Sequence, residues 1–233
     1  MSRVSNLYRL QLLDHDLDAA RTRLAEITAL LATSPEVDAA RRQETAAQAA
    51  LQGAHLALVK AEGEVGTQQS KLRETERRLY SGEVKNPKEL KDLENDAASL
   101  KRFLGVLEDR QLQAMVAQDE AEGEHAAARS ALDIVEAARG QEEDQLHQEG
   151  AGLAATVERL SAQREAALAL VNPEDLETYD TLRRTRRGTA VARLDGSTCG
   201  RCGVAPSQVR IDAARTGEEI VMCGNCGRIL YTG

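Results

Sequence analysis

Leucine recurs every seventh residue at Leu10, Leu17, Leu24 and Leu31, with Leu13, Ala20 and Ile27 at the alternating three-four spacing between them. Such a repeat puts one apolar stripe on a helix, and only another helix laid alongside can bury it. Ser34-Pro35-Glu36 interrupts the run; Ser suits an N-cap and Pro the first helical position, so the sequence predicts a break and an immediate restart. The second run is Val37, Glu44, Leu51, Leu58, Val65, Leu72 and Leu79, with Ala40, Ala47, Ala54 and Ala61 between. The step from Leu31 to Val37 falls one residue short of a heptad, which rotates the stripe at Pro35.

The repeat stops at Tyr80-Ser81-Gly82, and Asn86-Pro87-Lys88-Glu89 opens a new helix with a cap residue, a first-turn Pro and an early carboxylate. Its stripe begins Leu90, Leu93, Ala97, Leu100, Leu104, Leu107. It weakens through Gln111, Ala114, Gln118, Ala121 and His125, and recovers at Leu132, Val135, Leu146, Leu153 and Leu160. Leu112, Met115 and Val116 lie off that stripe, and the sequence leaves open whether the register shifts there. Two long helices joined by a short loop run antiparallel and pack on each other, the longer one reaching roughly 120 Å. Gly63 and Gly105 fall at one level counted from the tip and off the stripe, so we expect the outer hairpin to flex there.

A third cap of the same form, Asn172-Pro173-Glu174-Asp175, starts a short helix that closes on Arg183-Arg184-Thr185-Arg186-Arg187 and Gly188. Cations at the negative end of a helix followed by glycine make an ordinary C-terminus. Strand-like runs follow at 189–194, 219–222 and 228–231. The predicted class is mostly α: a long antiparallel coiled-coil helical hairpin plus a small C-terminal β zinc ribbon. The boundaries are 1–172 for the hairpin, with its tip near 80–88, 173–188 for a connecting helix and 189–233 for the ribbon. Aromatic content of 2%, with one Phe and no Trp, argues against a single large globular core.

All four cysteines lie in the ribbon, as Cys199-Gly-Arg-Cys202-Gly and Cys223-Gly-Asn-Cys226-Gly. Two residues between cysteines let both sulfurs converge on one cation, and two such pairs make a closed tetrahedral thiolate shell. Four soft ligands with no open position point to one structural zinc ion. A redox dithiol would want a βαβ setting, and disulfides an oxidising compartment. The four histidines are scattered along the helices and do not converge.

The N-terminal segment has no apolar leader pattern and charges interrupt every apolar run. A cytoplasmic protein with no membrane contact is expected. No nucleophile–base pair and no glycine-rich phosphate loop can be assembled, so neither an enzyme nor a small-molecule substrate is expected. The net charge is −8; from Glu174 onward eight carboxylates face nine arginines, so the negative excess lies in the hairpin.

Leu79-Tyr80-Ser81-Gly82 with Asn86-Pro87-Lys88-Glu89-Leu90, Ala190-Val191, and Cys223-Gly-Asn-Cys226-Gly-Arg-Ile-Leu-Tyr231 together resemble a bacterial family of C4-type zinc-ribbon proteins with an N-terminal coiled-coil hairpin. The resemblance implies a non-enzymatic regulator or adaptor. Its members are linked to RNA-polymerase sigma-54, to flagellar or type III export, or to nucleic acid, so transcription or secretion machinery is the implied partner class. Two sets of contact residues follow from this chain. Tyr80, Glu83, Val84, Lys85 and Lys88 at the tip would meet a protein partner. Alternatively Arg183, Arg184, Arg186, Arg187, Arg201 and Arg228 would meet the phosphates of DNA or RNA, although few aromatics are present to stack bases.

Overall fold

The computed structural model describes residues 2–217 and 219–233. The elements run α1 (Arg3–Ala32), α2 (Pro35–Tyr80), α3 (Pro87–Leu168), α4 (Pro173–Thr185), β1 (Val191–Asp195), β2 (Thr198–Cys199), α5 (Gln208–Thr216) and β3 (Ile229–Tyr231). The architecture is the expected one: a long helical hairpin and a small C-terminal sheet. By its contacts the chain forms two compact units, 34–142 and 1–33 with 143–233, and α3 contributes to both.

In the unit of residues 34–142, α2 packs against the first part of α3 along the predicted stripe. Val37, Ala40, Val65, Leu72, Leu93, Leu107 and Ala121 are buried. Polar groups interrupt this seam, and two of them are paired across it. Gln68 donates to the Leu100 carbonyl at 3.1 Å, and His125 meets Glu44 at 3.2 Å. The register does not shift at residues 111–118: Gln111, Ala114 and Gln118 stay half-buried while Leu112, Met115 and Val116 face outward. At the tip, Gly82 turns the chain at φ 76°, and the Asn86 carboxamide oxygen caps α3 by accepting from the Lys88 N–H at 3.0 Å. Ser34 and Asn172, expected to cap in the same way, make no side-chain cap bond.

In the other unit, α1 and the end of α3 carry the short helix and the sheet. Val4, Leu7, Leu10, Ala167, Tyr179, Val191 and Ile229 form one core, so the first turns of α1 bury their stripe on the sheet as well as on a helix. Arg3 holds Asp175 at 2.8 and 2.6 Å, and Arg23 holds Glu149 at 2.7 and 2.9 Å. The Tyr8 and Tyr231 rings stack with centroids 4.6 Å apart. This grouping puts α1 with the cysteine module, unlike the sequence-based boundary at residue 172.

The sheet order is β2-β1-β3, with β1–β2 antiparallel and β1–β3 parallel. The strand expected at 219–222 is reduced to one bridge between Met222 and Ile229. Between the two cysteine pairs lies a helix the strand periodicity did not anticipate. α5 buries Ile211 and Ala214, one turn apart, and ends at Gly217 in the left-handed region.

Candidate metal centre

Each cysteine pair is folded by the same backbone device. Gly203 donates its N–H to the Cys199 carbonyl at 2.8 Å, and Gly227 to the Cys223 carbonyl at 2.9 Å. Going the other way, the Cys199 N–H reaches the Val204 carbonyl at 3.0 Å and the Cys223 N–H reaches the Arg228 carbonyl at 2.7 Å. Gly203 and Gly227 sit at φ 71° and 69°, where a side chain is disfavoured. Gly200 has another reason to be glycine: a Cβ there would stand 2.7 Å from the Arg193 carbonyl oxygen. The Cys-Gly-X-Cys-Gly repeat thus encodes two near-identical loops.

The loops face one another and bring the four sulfurs together. Cys199 Sγ lies 3.9 Å from Cys226 Sγ and Cys202 Sγ lies 3.8 Å from Cys223 Sγ; all four are within 4.8 Å of each other. A regular tetrahedron with metal–sulfur bonds of the zinc length, about 2.3 Å, has edges of about 3.8 Å. The sulfur spacing therefore fits a single ion, and its donor set is all thiolate. Cys199 and Cys223 are buried and Cys202 and Cys226 half-buried. The Val204 N–H, helped by the Asn225 side chain, draws the Cys202 thiol down to about 6. Burial pushes Cys199 up to about 12, against the N–H groups of Arg201 and Cys202. Asn225 belongs to the opposite loop, between Gly224 and Cys226.

The arginines expected to form a patch are divided. Arg183 bonds Asp18 at 2.5 Å and lies 3.5 Å from Asp14, while Arg228 donates to the Thr189 and Arg186 carbonyls at 2.9 and 3.1 Å. These two are engaged within the fold. Arg184, Arg186, Arg187 and Arg201 are exposed, and Arg187 takes a left-handed backbone, φ 56°, at the end of α4. At the tip, Tyr80 is 81% exposed. Glu83, Lys85 and Lys88 are exposed as well, whereas Val84 is half-buried.

Fold and site together define a coiled-coil hairpin protein with a C-terminal cysteine cluster competent to hold a metal ion. The chain belongs to the family of the CT398-like coiled coil hairpin domain, which matches residues 10–187. It is 26% identical over 223 residues to the uncharacterized protein Rv2229c of Mycobacterium tuberculosis, covering 92% of this chain and 90% of that one. Among solved structures it is similar to CT398 from Chlamydia trachomatis, with TM-score 0.73 and 18% identity over 99% of this chain and 98% of that one. A Mycobacterium smegmatis protein gives TM-score 0.68 and 19% identity over 99% of both chains. At these identities the structural likeness concerns the fold. No helix among the described residues is long and apolar enough to cross a membrane.

Proposed function

We propose that this chain is a non-enzymatic adaptor, with one structural zinc ion on Cys199, Cys202, Cys223 and Cys226 holding the C-terminal module and the hairpin tip meeting a protein partner. The observation that carries the partner half of this reading is Tyr80. It ends α2 as an 81% exposed aromatic ring in a chain where aromatics are scarce. The neighbouring loop residues have local tasks: Gly82 makes the turn and Asn86 caps α3. Tyr80 has none among the described residues, and tyrosine is enriched among the side chains that carry most of the binding energy at protein interfaces. Glu83, Lys85 and Lys88 are exposed in the loop and first turn that follow.

The test is a pull-down from cell extract with the intact protein, a Tyr80→Ala/Lys85→Ala/Lys88→Ala variant and a chain ending before residue 189. A protein retained by the first and lost by the second supports the tip. Identical capture by all three removes the reading.

Nucleic-acid binding is supported by the exposure of Arg184, Arg186, Arg187 and Arg201. Phosphate contacts of this kind weaken steeply with salt and carry little sequence preference. A gel-shift series at low salt should then respond to alanine at these four positions. Binding that ignores the substitutions, or no binding at low salt, discards it.

A further inference from the structure

In the middle of the hairpin several large apolar side chains are on the outside. The Gln68–Leu100 and Glu44–His125 contacts fix which residues stand at one level. Leu56 is midway between Glu44 and Gln68, and Leu112 is midway between Leu100 and His125, so Leu56 and Leu112 share a level. Here the seam holds Leu51, Ala54, Leu58, Gln111, Ala114 and Gln118, all half-buried, and the Gln118 carboxamide oxygen is buried with no hydrogen-bond partner among the described residues. Leu56, Val59, Leu112, Met115 and Val116 are exposed instead, Leu56 to 68% and Val116 to 57%.

Three of them, Val59, Leu112 and Met115, share one flank. Lys60, Thr67 and Lys71 of α2 and Phe103 and Arg110 of α3 line a shallow groove on one side of the hairpin. At 100° per residue, helical phase turns Val59, Leu112 and Met115 to the opposite side, whereas Leu56 and Val116 point away from the seam on the backs of α2 and α3. Helix propensity could account for exposed Leu or Met, but β-branched valine is a poorer helix former than the alanines around it. A cluster of this kind marks a contact surface rather than a solvated one.

The charge around it selects the occupant. Neither 44–59 nor 111–128 contains a lysine or arginine. Helical phase places the carboxylates of Glu62, Glu108 and Asp119 on the same flank. A second copy docking through this face would set those carboxylates against their equals, which disfavours self-pairing. We propose that this flank docks a basic amphipathic helix of a partner protein, one carrying apolar residues at three-four spacing with Lys or Arg beside them. The surface adds to the adaptor reading and does not use the tip.

The experiment titrates the full-length protein into a fluorescein-labelled synthetic helix with a leucine face and lysine flanks, followed by anisotropy. A second peptide carries glutamate in place of lysine. The variant Val59→Gln/Leu112→Gln/Met115→Gln leaves every charge in place. The proposal expects the lysine peptide to bind and the variant to bind at least about tenfold more weakly with unchanged helical circular dichroism, a loss equivalent to about 1.4 kcal/mol. It also expects the glutamate peptide to bind far less. Equal binding by the variant would show that charge alone attracts the peptide and overturn the proposal. So would equal binding of the glutamate peptide, no binding by the native chain, or a native dimer in sedimentation that the variant abolishes. The tip variant should bind the lysine peptide normally, so failure here leaves the tip reading standing.

Discussion

Gln11 of α1 holds Val191 of β1 as a neighbouring strand would: its Nε2 donates to the Val191 carbonyl at 2.8 Å and its Oε1 accepts the Val191 N–H at 2.6 Å. The same oxygen accepts the Ala190 N–H at 2.7 Å. One buried carboxamide therefore satisfies three backbone groups at the entry to the cysteine module and fixes where the sheet begins. Removing it leaves those groups unpaired inside, at about 1–3 kcal/mol each before relaxation. Gln11→Leu should accelerate hydrogen exchange at Ala190 and Val191 by at least a hundredfold and lower stability by about 3 kcal/mol. Unchanged exchange at both amides would mean that the clamp is incidental.

Asp14, three residues further along α1, is buried and accepts from Arg164 at 2.5 Å and from the Tyr179 hydroxyl at 2.7 Å. Breaking a buried ion pair on one side leaves an uncompensated charge, so Asp14→Asn should cost about 3 kcal/mol or more. Alkaline unfolding reads the same contact. Burial, and then the bond to Asp14, hold the Tyr179 phenol protonated above its usual range. Its contribution is complete below the ordinary tyrosine value of about 10 and is lost as pH climbs above it, because the unfolded chain ionises first. Tyr179→Phe should lower stability at neutral pH and flatten the decline between pH 10 and the base-induced transition. A decline of the same slope in the variant would contradict this assignment.

Gly63 and Gly105 lie inside continuous helices, and a Cβ at either meets nothing within 4 Å. Alanine should therefore stabilise the unit of residues 34–142 by up to about 1 kcal/mol per site. If the glycines confer bending, the double substitution should also slow hydrogen exchange between them and the tip. Exchange that stays the same while stability rises would leave them with no mechanical part.

Much of this was legible from the chain because it is encoded locally. Heptad spacing is a property of one helix, and Pro87 or Pro173 marks a helix start without reference to anything distant. The cysteine pairs with their glycines specify a loop in five residues. What the sequence did not disclose depends on partners far along the chain. Gln11 lies off the leucine heptad and gives no sign that it will meet residues 190 and 191. Arg183 and Arg228 read as free cations until Asp18 and the Thr189 carbonyl are placed beside them. The α5 helix had local signals in Ser207, the Ile211–Ala214 spacing and Gly217, but the expected strand pattern of a ribbon outweighed them. The outward apolar face at Leu112, Met115 and Val116 was visible as an irregularity. Its meaning needed the register that the Gln68 and His125 contacts fix.

In the proposed reading a metal ion organises the C-terminal module, and metal content measured together with backbone protection is the test of it. Binding energies of about 10–16 kcal/mol for structural zinc far exceed what so small a sheet gathers from its own core. Protein purified without chelator should contain one zinc per chain by mass spectrometry, with residues 189–233 protected from hydrogen exchange. Cys199→Ser and Cys226→Ser should each lose the zinc and that protection while keeping most of the helical signal. A zinc-free native protein whose residues 189–233 remain as protected as the rest would contradict the account.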